Sequence, residues 1–414
     1  PNKLERRPDE SPARSNGLKD RFSLFWKILK YSFFSIEHIA VCLLAAGIAA
    51  LLAVIAINWD LFNPVKIAFD DFNVTDIYYT IQKSENQEIN GDIVLVDITK
   101  LRDRAKIAET ITDVVATSPK AVAVDIIFES QSEYVAADAE LVSTVEELSH
   151  KDVPIVYASK ELDYDQTKDS FNYMLKSFFS DDTDLKWGFS NLPAKNGRGL
   201  IRSISISEQS AGIQEHSLAY QAASLYLGHE PETGGEKLKP IIYEDFSFLR
   251  VPYDSVKICK DLLKDKLVFI GTLKEEADMH MTPIGRQAGM TIQAYAAYTL
   301  IEHRSIQTIP LWQQILFTFM LCYLCAAFGY VIPRAFKYAG ASIVQIFYLL
   351  LAIVIVYFGF ICFIKFNVSF PLAYPLVGIA LVETARNIYK ICVTLLSRRG
   401  GMFVRKSLYY EKKD

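Results

Sequence analysis

Hydrophobic positions along this chain are gathered into blocks. Residues 39–57 (IAVCLLAAGIAALLAVIAI) hold no charge and no proline. Residues 305–333, 338–364 and 366–382 are uncharged as well. A helix rises about 1.5 Å per residue, so about 19 such residues match a hydrocarbon core roughly 30 Å thick. The pattern predicts four transmembrane α-helices, at 38–58, 309–333, 338–364 and 366–390. They bracket a folded extracytoplasmic block at 59–308. Residues 1–37 read as a disordered polar tail, and 391–414 as a helix end followed by a basic tail.

Inside the block the pattern is different. Residues 93–98 (IVLVDI) form a continuous β-branched run, the mark of a strand buried on both faces. Residues 99–116 have helical spacing through Leu101, Ile107, Ile111 and Val115, and Pro119 stops them. Residues 121–128 (AVAVDIIF), 153–158 (VPIVYA) and 266–270 (KLVFI) read as further buried strands. Helices are predicted at 139–148, at 215–227 before Gly228 and Pro231, and at 290–301. Residues 187–192 and 197–206 read as a loop-rich stretch that ends in a strand, and 241–243 with 246–251 as two short strands spaced for a hairpin. Strand–helix–strand repetition implies parallel pairing with right-handed crossovers. The expected fold is therefore an α/β domain with a mainly parallel sheet.

Charge separates along the same boundaries. The whole chain is at −4, but residues 58–310 carry 25 basic and 40 acidic groups, a net −15. The N-terminal tail, the Arg334–Lys337 turn and the C-terminal tail are basic. Lys and Arg beside membrane helices mark the cytoplasmic side. With four crossings all three basic segments fall on that side, both termini are cytoplasmic, and the first helix is an uncleaved signal anchor. Basic juxtamembrane segments suit anionic lipid, and an acidic domain argues against nucleic acid. Of six cysteines only Cys259 lies in the block, so no disulfide forms within it.

Candidate chemistry is sparse. Asp97 and Asp125 stand near the C-terminal ends of buried strands, and Asp278 follows a third. In open parallel sheets, ligands collect at those ends. Three convergent carboxylates would suit a hard cation, although aspartates in such places also cap helices and tie down loops. Asn191, Arg198 and Arg202 bring polar groups into a glycine-containing stretch that lines a small-molecule pocket or forms a surface loop. The histidines lack metal spacing, and Ser203 and Ser205 lack a nucleophile motif, so no catalytic residue, resident metal or cofactor is expected. Glu383 and Arg386 are placed for an i,i+3 ion pair at the end of the last apolar block.

Several segments occur in an order that resembles a known family. These are IVLVDI at 93–98, PKAVAVDIIF at 119–128, Asp138 with Leu141, WGFSN at 187–191, GRGLIRSISI at 197–206, KLVFIGT at 266–272, Asp278, Thr282–Pro283 and AGMTIQAYAAYTLI at 288–301. Together they resemble the second type of CHASE domain, the cyclase- and histidine-kinase-associated sensory extracellular domains of bacterial receptors. The resemblance implies one span before the domain and three after it. The family's Trp-Pro and Arg after the first strand and its Asp-Gly before residue 200 are replaced here. Family members typically continue into a cyclase, kinase or phosphatase. None is expected here, so the resemblance leads to a sensor of an unknown small ligand or partner that relays to a separate cytoplasmic effector. The alternative is a constitutive docking subunit of a cell-envelope complex. Self-association is left open.

Overall fold

Aliphatic residues without interruption in the first strand demand cover on both faces, and the fold provides it. The computed structural model describes residues 18–58, 76, 78–79, 88–179, 185–192, 199–336, 338–398 and 407–409. The chain divides into two units, Asp76–Ile306 and the helical unit made of Pro1–Thr75 with Gln307–Asp414.

The Asp76–Ile306 unit is built on strands β1 (Glu88–Asp97), β2 (Ala121–Val124), β3 (Ile155–Asp165), β4 (Ser170–Leu175), β5 (Lys186–Phe189), β6 (Ser203–Ser205), β7 (Ser207–Ser210), β8 (Ile213–His216), β9 (Leu238–Pro240), β10 (Phe246–Pro252) and β11 (Leu267–Gly271). Nine of them form one mixed sheet in the order β10-β1-β11-β2-β3-β4-β7-β8, with β5 also paired to β3. From β10 through β3, and on to β5, every pairing is parallel. The last core strand, β11, inserts between the first two.

One face of the sheet carries Val94, Val96, Val122, Val124, Tyr157, Val268 and Ile270, packed on helices α3 (Arg104–Ala116) and α4 (Val135–Ser149). The apolar stripe Ile107, Ile111, Val114 and Leu141, Val145, Leu148 recurs at helical spacing, which turns one side of each helix to the sheet. The other face is covered by α5 (Leu218–Leu227) on β2, β3 and β5, and by α6 (Gly289–Ile301) on β1 and β11. Asp103 caps α3, accepting from the Ala105 amide, and Gly228 ends α5 in the left-handed conformation. A short hairpin, β12 (Met279–Thr282) and β13 (Gly285–Ala288), leads into α6.

Several boundaries differ from the sequence expectation for physical reasons. The strand at 121–128 ends at Val124, and the helix at 99–116 begins only at Arg104, because Asp97 and Thr99 first make a turn. Residues 187–189 are a strand rather than loop, and residues 215–216 belong to β8 rather than to the helix. Residues 246–252 pair in parallel with β1 instead of forming a hairpin with 241–243. β3 runs on well past Ala158 and switches partners, from β5 to the antiparallel β4.

The helical unit holds α1 (Leu18–Ser32), α2 (Ile36–Asn58), α7 (Leu311–Ala335), α8 (Gly340–Phe366) and α9 (Ala373–Arg398). Residues 18–32, expected as part of a disordered tail, are helical; the earlier part of that tail lies outside the described residues. The expectation of four spans is met in part. Among the described residues two helices, α7 and α8, are long and apolar enough to cross a membrane. A third arises if Asp20–Ser32 and Ile36–Leu52, bent by 81° at their break, count together. The fourth apolar block becomes α9, which Glu383, Arg386 and Lys390 make less apolar. Val41, Cys42, Leu321, Cys325, Ala326, Ile355, Val382 and Ala385 form the shared core of the unit.

Gly188 lies against the start of α5, where an added Cβ would come 2.7 Å from the Leu218 Cα. Gly91, in contrast, has nothing within 4 Å. Gly188→Ala should therefore destabilise the domain by about 1–3 kcal/mol through backbone displacement. Gly91→Ala should leave the melting temperature of the full chain near wild type, and thermal unfolding of both variants checks the contrast.

Candidate functional site

Parallel strands that are apolar throughout leave only their ends for polar chemistry, and here the C-terminal ends are acidic. Asp97 closes β1. Its Oδ1 accepts from the Thr99 amide at 2.9 Å and from the Thr99 hydroxyl at 2.5 Å. The Thr99 Oγ1 in turn accepts from the amides of Leu273 at 2.9 Å and Lys274 at 3.3 Å. Asp97 is thus a loop tie that fastens the exit of β1 to the exit of β11.

Asp125 follows β2, and its amide donates to the Ile270 carbonyl at 2.8 Å. Its carboxyl is packed beside Gly271, whose added Cβ would lie 3.3 Å from the Asp125 Cβ. Burial, and then the negative charge of Asp278, push the Asp125 carboxyl up to about 7. Asp278 accepts from the Gly289 amide at 3.1 Å, which places a carboxylate at the N-terminus of α6, where the helix dipole favours it. A Cβ at Gly289 would meet the Asp278 Oδ1 at 2.5 Å, so the approach depends on glycine. His280 Nε2 stands 3.6 Å from the Asp278 Oδ1. The structure therefore brings Asp125 and Asp278 together and assigns Asp97 to the loop. The three aspartates do not make a cation cage; among the described residues no group of three His, Cys, Asp or Glu side chains is arranged to hold a metal ion.

Asn191 and Arg202 do not meet there. Asn191 continues the pairing of β5 with side-chain atoms. Its Oδ1 accepts from the Glu161 amide at 2.7 Å and its Nδ2 donates to the Glu161 carbonyl at 2.9 Å. Arg202 grips Asp76, with Nε 3.0 Å from both carboxylate oxygens and Nη2 2.6 Å from Oδ2. That fork holds the segment ahead of β1. Nearby, Tyr79 packs edge-on against Tyr243, whose hydroxyl donates to the Ile201 carbonyl at 2.8 Å. Arg198 lies outside the described residues. Asp138 joins Arg104 at 2.6 Å and accepts from the Ser132 amide and hydroxyl. Burial opposes its charge, but these bonds outweigh it and hold the carboxyl below the usual range.

Sequence reasoning missed Glu161, the residue that Asn191 embraces. Glu161 is 2% exposed, and both its carboxylate oxygens lack a hydrogen-bond partner among the described residues. Burial, then Glu208 and Glu215 of the β7–β8 hairpin, raise its carboxyl to about 8. It sits two residues past Ser159, where the parallel pairing of β3 with β5 ends. Glu161 thus shares the acidic C-terminal edge with Asp125 and Asp278. The signal was present only in strand alternation: had β3 been carried past Ala158, Glu161 would fall on the face of Tyr157 and Ser159.

Comparison with known proteins gives one match. The CHASE2 domain family, a family of sensory extracellular domains, matches residues 47–328, more than half of the chain. No curated protein and no solved structure matches.

The sign of the Asp125 effect on stability follows from its shift. Its folded-state value lies above the ordinary carboxyl value near 4, so the stability it contributes is fully present below about pH 4 and lost as pH rises toward about 7. Asp125→Asn should remove this fall, so the variant gains on wild type in melting temperature between pH 5 and pH 8. Arg202→Ala and Asp76→Ala should each destabilise, and the double variant should cost less than their sum by about 1 kcal/mol or more, measured by a thermal double-mutant cycle.

Proposed function

Because the chain belongs to the CHASE2 domain family, we propose that it is a membrane receptor-like sensor that detects an extracytoplasmic ligand or partner and relays it to a cytoplasmic effector. The observation that carries this reading is α6. Every residue from Gly289 through Leu300 is buried. The N-terminus of the helix is tied to Asp278 at the acidic edge of the sheet. Its last residue is five positions before Ile306, where the chain passes into the helical unit. Thirteen residues make a rod about 20 Å long, closely packed along its length. Ligand bound at the edge acts on one end of that rod, and the apolar helices follow the other.

In this reading α2, α7, α8 and α9 each cross a bacterial inner membrane, both termini are cytoplasmic, and the Asp76–Ile306 unit faces outward. The exposed apolar side chains of α8, among them Leu349, Ile353, Val354 and Tyr357, face lipid. Ligand shifts the relay only through a difference in its affinity for the two states.

Thiol labelling tests the arrangement. Cys259 is partly exposed in one unit and Cys392 is exposed in the other, while Cys42, Cys322 and Cys325 are buried. A membrane-impermeant maleimide applied to intact cells should modify Cys259 and spare Cys392 until the membrane is broken. The reverse result would sink the reading. Purification from native membranes should bring down a kinase, cyclase or other effector; a stoichiometric complex with envelope scaffold proteins alone would favour the docking-subunit alternative.

A further inference from the structure

The strands around Glu161 close on themselves. β3 pairs with β4, β4 with β7 and β7 with β8. A bridge from Phe189 to Ser217 then links the end of β8 to β5, which pairs back to β3. Glu161 stands at the fork of this ring, and the charges it feels are Glu208 and Glu215 of the opposing hairpin. Ser159, two residues upstream on the same strand and so on the same face, is 0% exposed, and its Oγ has no hydrogen-bond partner among the described residues. Buried polar atoms in folded proteins are nearly always paired, because leaving them unpaired costs free energy of desolvation. An orphan carboxyl with an orphan hydroxyl two residues upstream on its own strand is therefore a built feature.

Its chemistry selects the occupant. The unmatched atoms are the two oxygens of the Glu161 carboxyl, which accept only once it is ionised, and the Ser159 hydroxyl oxygen, which accepts as well as donates. The surrounding carboxylates make the potential negative. A divalent ion of the calcium type takes six to eight oxygen ligands, usually several of them carboxylates, and the described residues form no such group. A primary ammonium group is one heavy atom wide, carries a single positive charge and offers three N–H donors.

We infer that the strand ring at Glu161 is a receptor site for an ammonium group, with the Glu161 carboxylate as counter-ion and the Ser159 hydroxyl as a further acceptor. The inference rests on the sensor reading and names the class of ligand sensed. Free ammonium and the head of a small aliphatic amine share this chemistry. Glu208 is already engaged by the Ser205 hydroxyl at 2.5 Å and supplies field, as does Glu215. Asn191 holds the Glu161 backbone and so positions the carboxyl without touching the ligand.

The test uses the full chain in detergent at pH 8.5, on the alkaline side of the raised Glu161 value, with four chloride salts at equal ionic strength. Ammonium or methylammonium should raise the melting temperature by about 3 °C over sodium, and tetramethylammonium, which has no N–H donor, should not. A rise with ammonium alone identifies the free ion, and a rise with both identifies an amine head group; either supports the site. Glu161→Gln should abolish the rise. Equal effects of all four salts, no effect of any, or a rise that persists in Glu161→Gln would overturn the inference. If Glu161→Gln does not fold, Ser159→Ala carries the test: affinity should weaken about tenfold, and unchanged affinity overturns the site. Amine binding that leaves the labelling of Cys392 unchanged upholds the site and counts against the relay, so the two ideas fail separately.

Discussion

A strand that is apolar on both faces has nowhere to put a charge except at its ends. That constraint organises the Asp76–Ile306 unit. β2 and β11 are buried at every position, as is the second half of β1 up to Val96. Burying an ion among them would cost several kcal/mol, so Asp97 and Asp125 occur where the strands emerge. Because β11 inserts between β1 and β2, Gly271 arrives beside Asp125 and the Leu273 amide arrives beside Thr99. The acidic edge is therefore completed by a strand more than 130 positions along the chain from Asp125, and it exists only once the whole sheet has formed.

The two carboxylates of that edge differ because their surroundings differ. Asp278 has a backbone amide and a helix N-terminus to receive its charge. Asp125 has apolar packing around it and Asp278 for a neighbour, so its ionised form is disfavoured. Glu161 carries the same logic further, with two glutamates nearby and no donor to either oxygen among the described residues. Carboxyls that hold their protons near neutral pH are uncommon in structural roles and frequent in binding clefts. At Asp125 and Glu161 the edge is thus electrostatically unrelieved.

The apolar strands were legible in the sequence because continuous β-branched runs have few other homes. The helices packed on them were legible by period, as with Ile107, Ile111 and Val115. The antiparallel extension was not. β4 and the β7–β8 hairpin lie largely at the surface, so segments such as SEQS and IQEH show no apolar run to announce a strand. The aspartates at strand ends were placed correctly in the chain, yet their division of labour was hidden: Thr99 diverts Asp97, and nothing in sequence spacing foretells that. Arg202 finds Asp76 across 126 positions, and Asn191 finds the Glu161 backbone across 30. Pairings of that reach are set by topology and register, which a single sequence does not print.

The helical unit shows the complementary limit of composition. α9 carries Glu383 and Arg386, which lowers its hydropathy, but both groups engage neighbouring side chains, and the Arg386 side chain is largely buried. Arg386 bonds Glu383, and its guanidinium occupies the space that leaves Gly329 of α7 without a side chain. Tyr348 of α8 donates to the Cys325 carbonyl at 3.0 Å and reaches Glu383 Oε2 at 3.4 Å. Around this cluster Val382 and Ala385 are fully buried. In hydrocarbon, polar groups are tolerated when they satisfy one another inside a bundle, and such residues mark places where helices must keep register. A helix with matched charges on one side and apolar residues on the others is therefore less apolar in composition while packing as a core element. The same pairing that lowers its hydropathy ties α7, α8 and α9 to one arrangement, so a displacement of α7 is opposed unless α8 and α9 move with it.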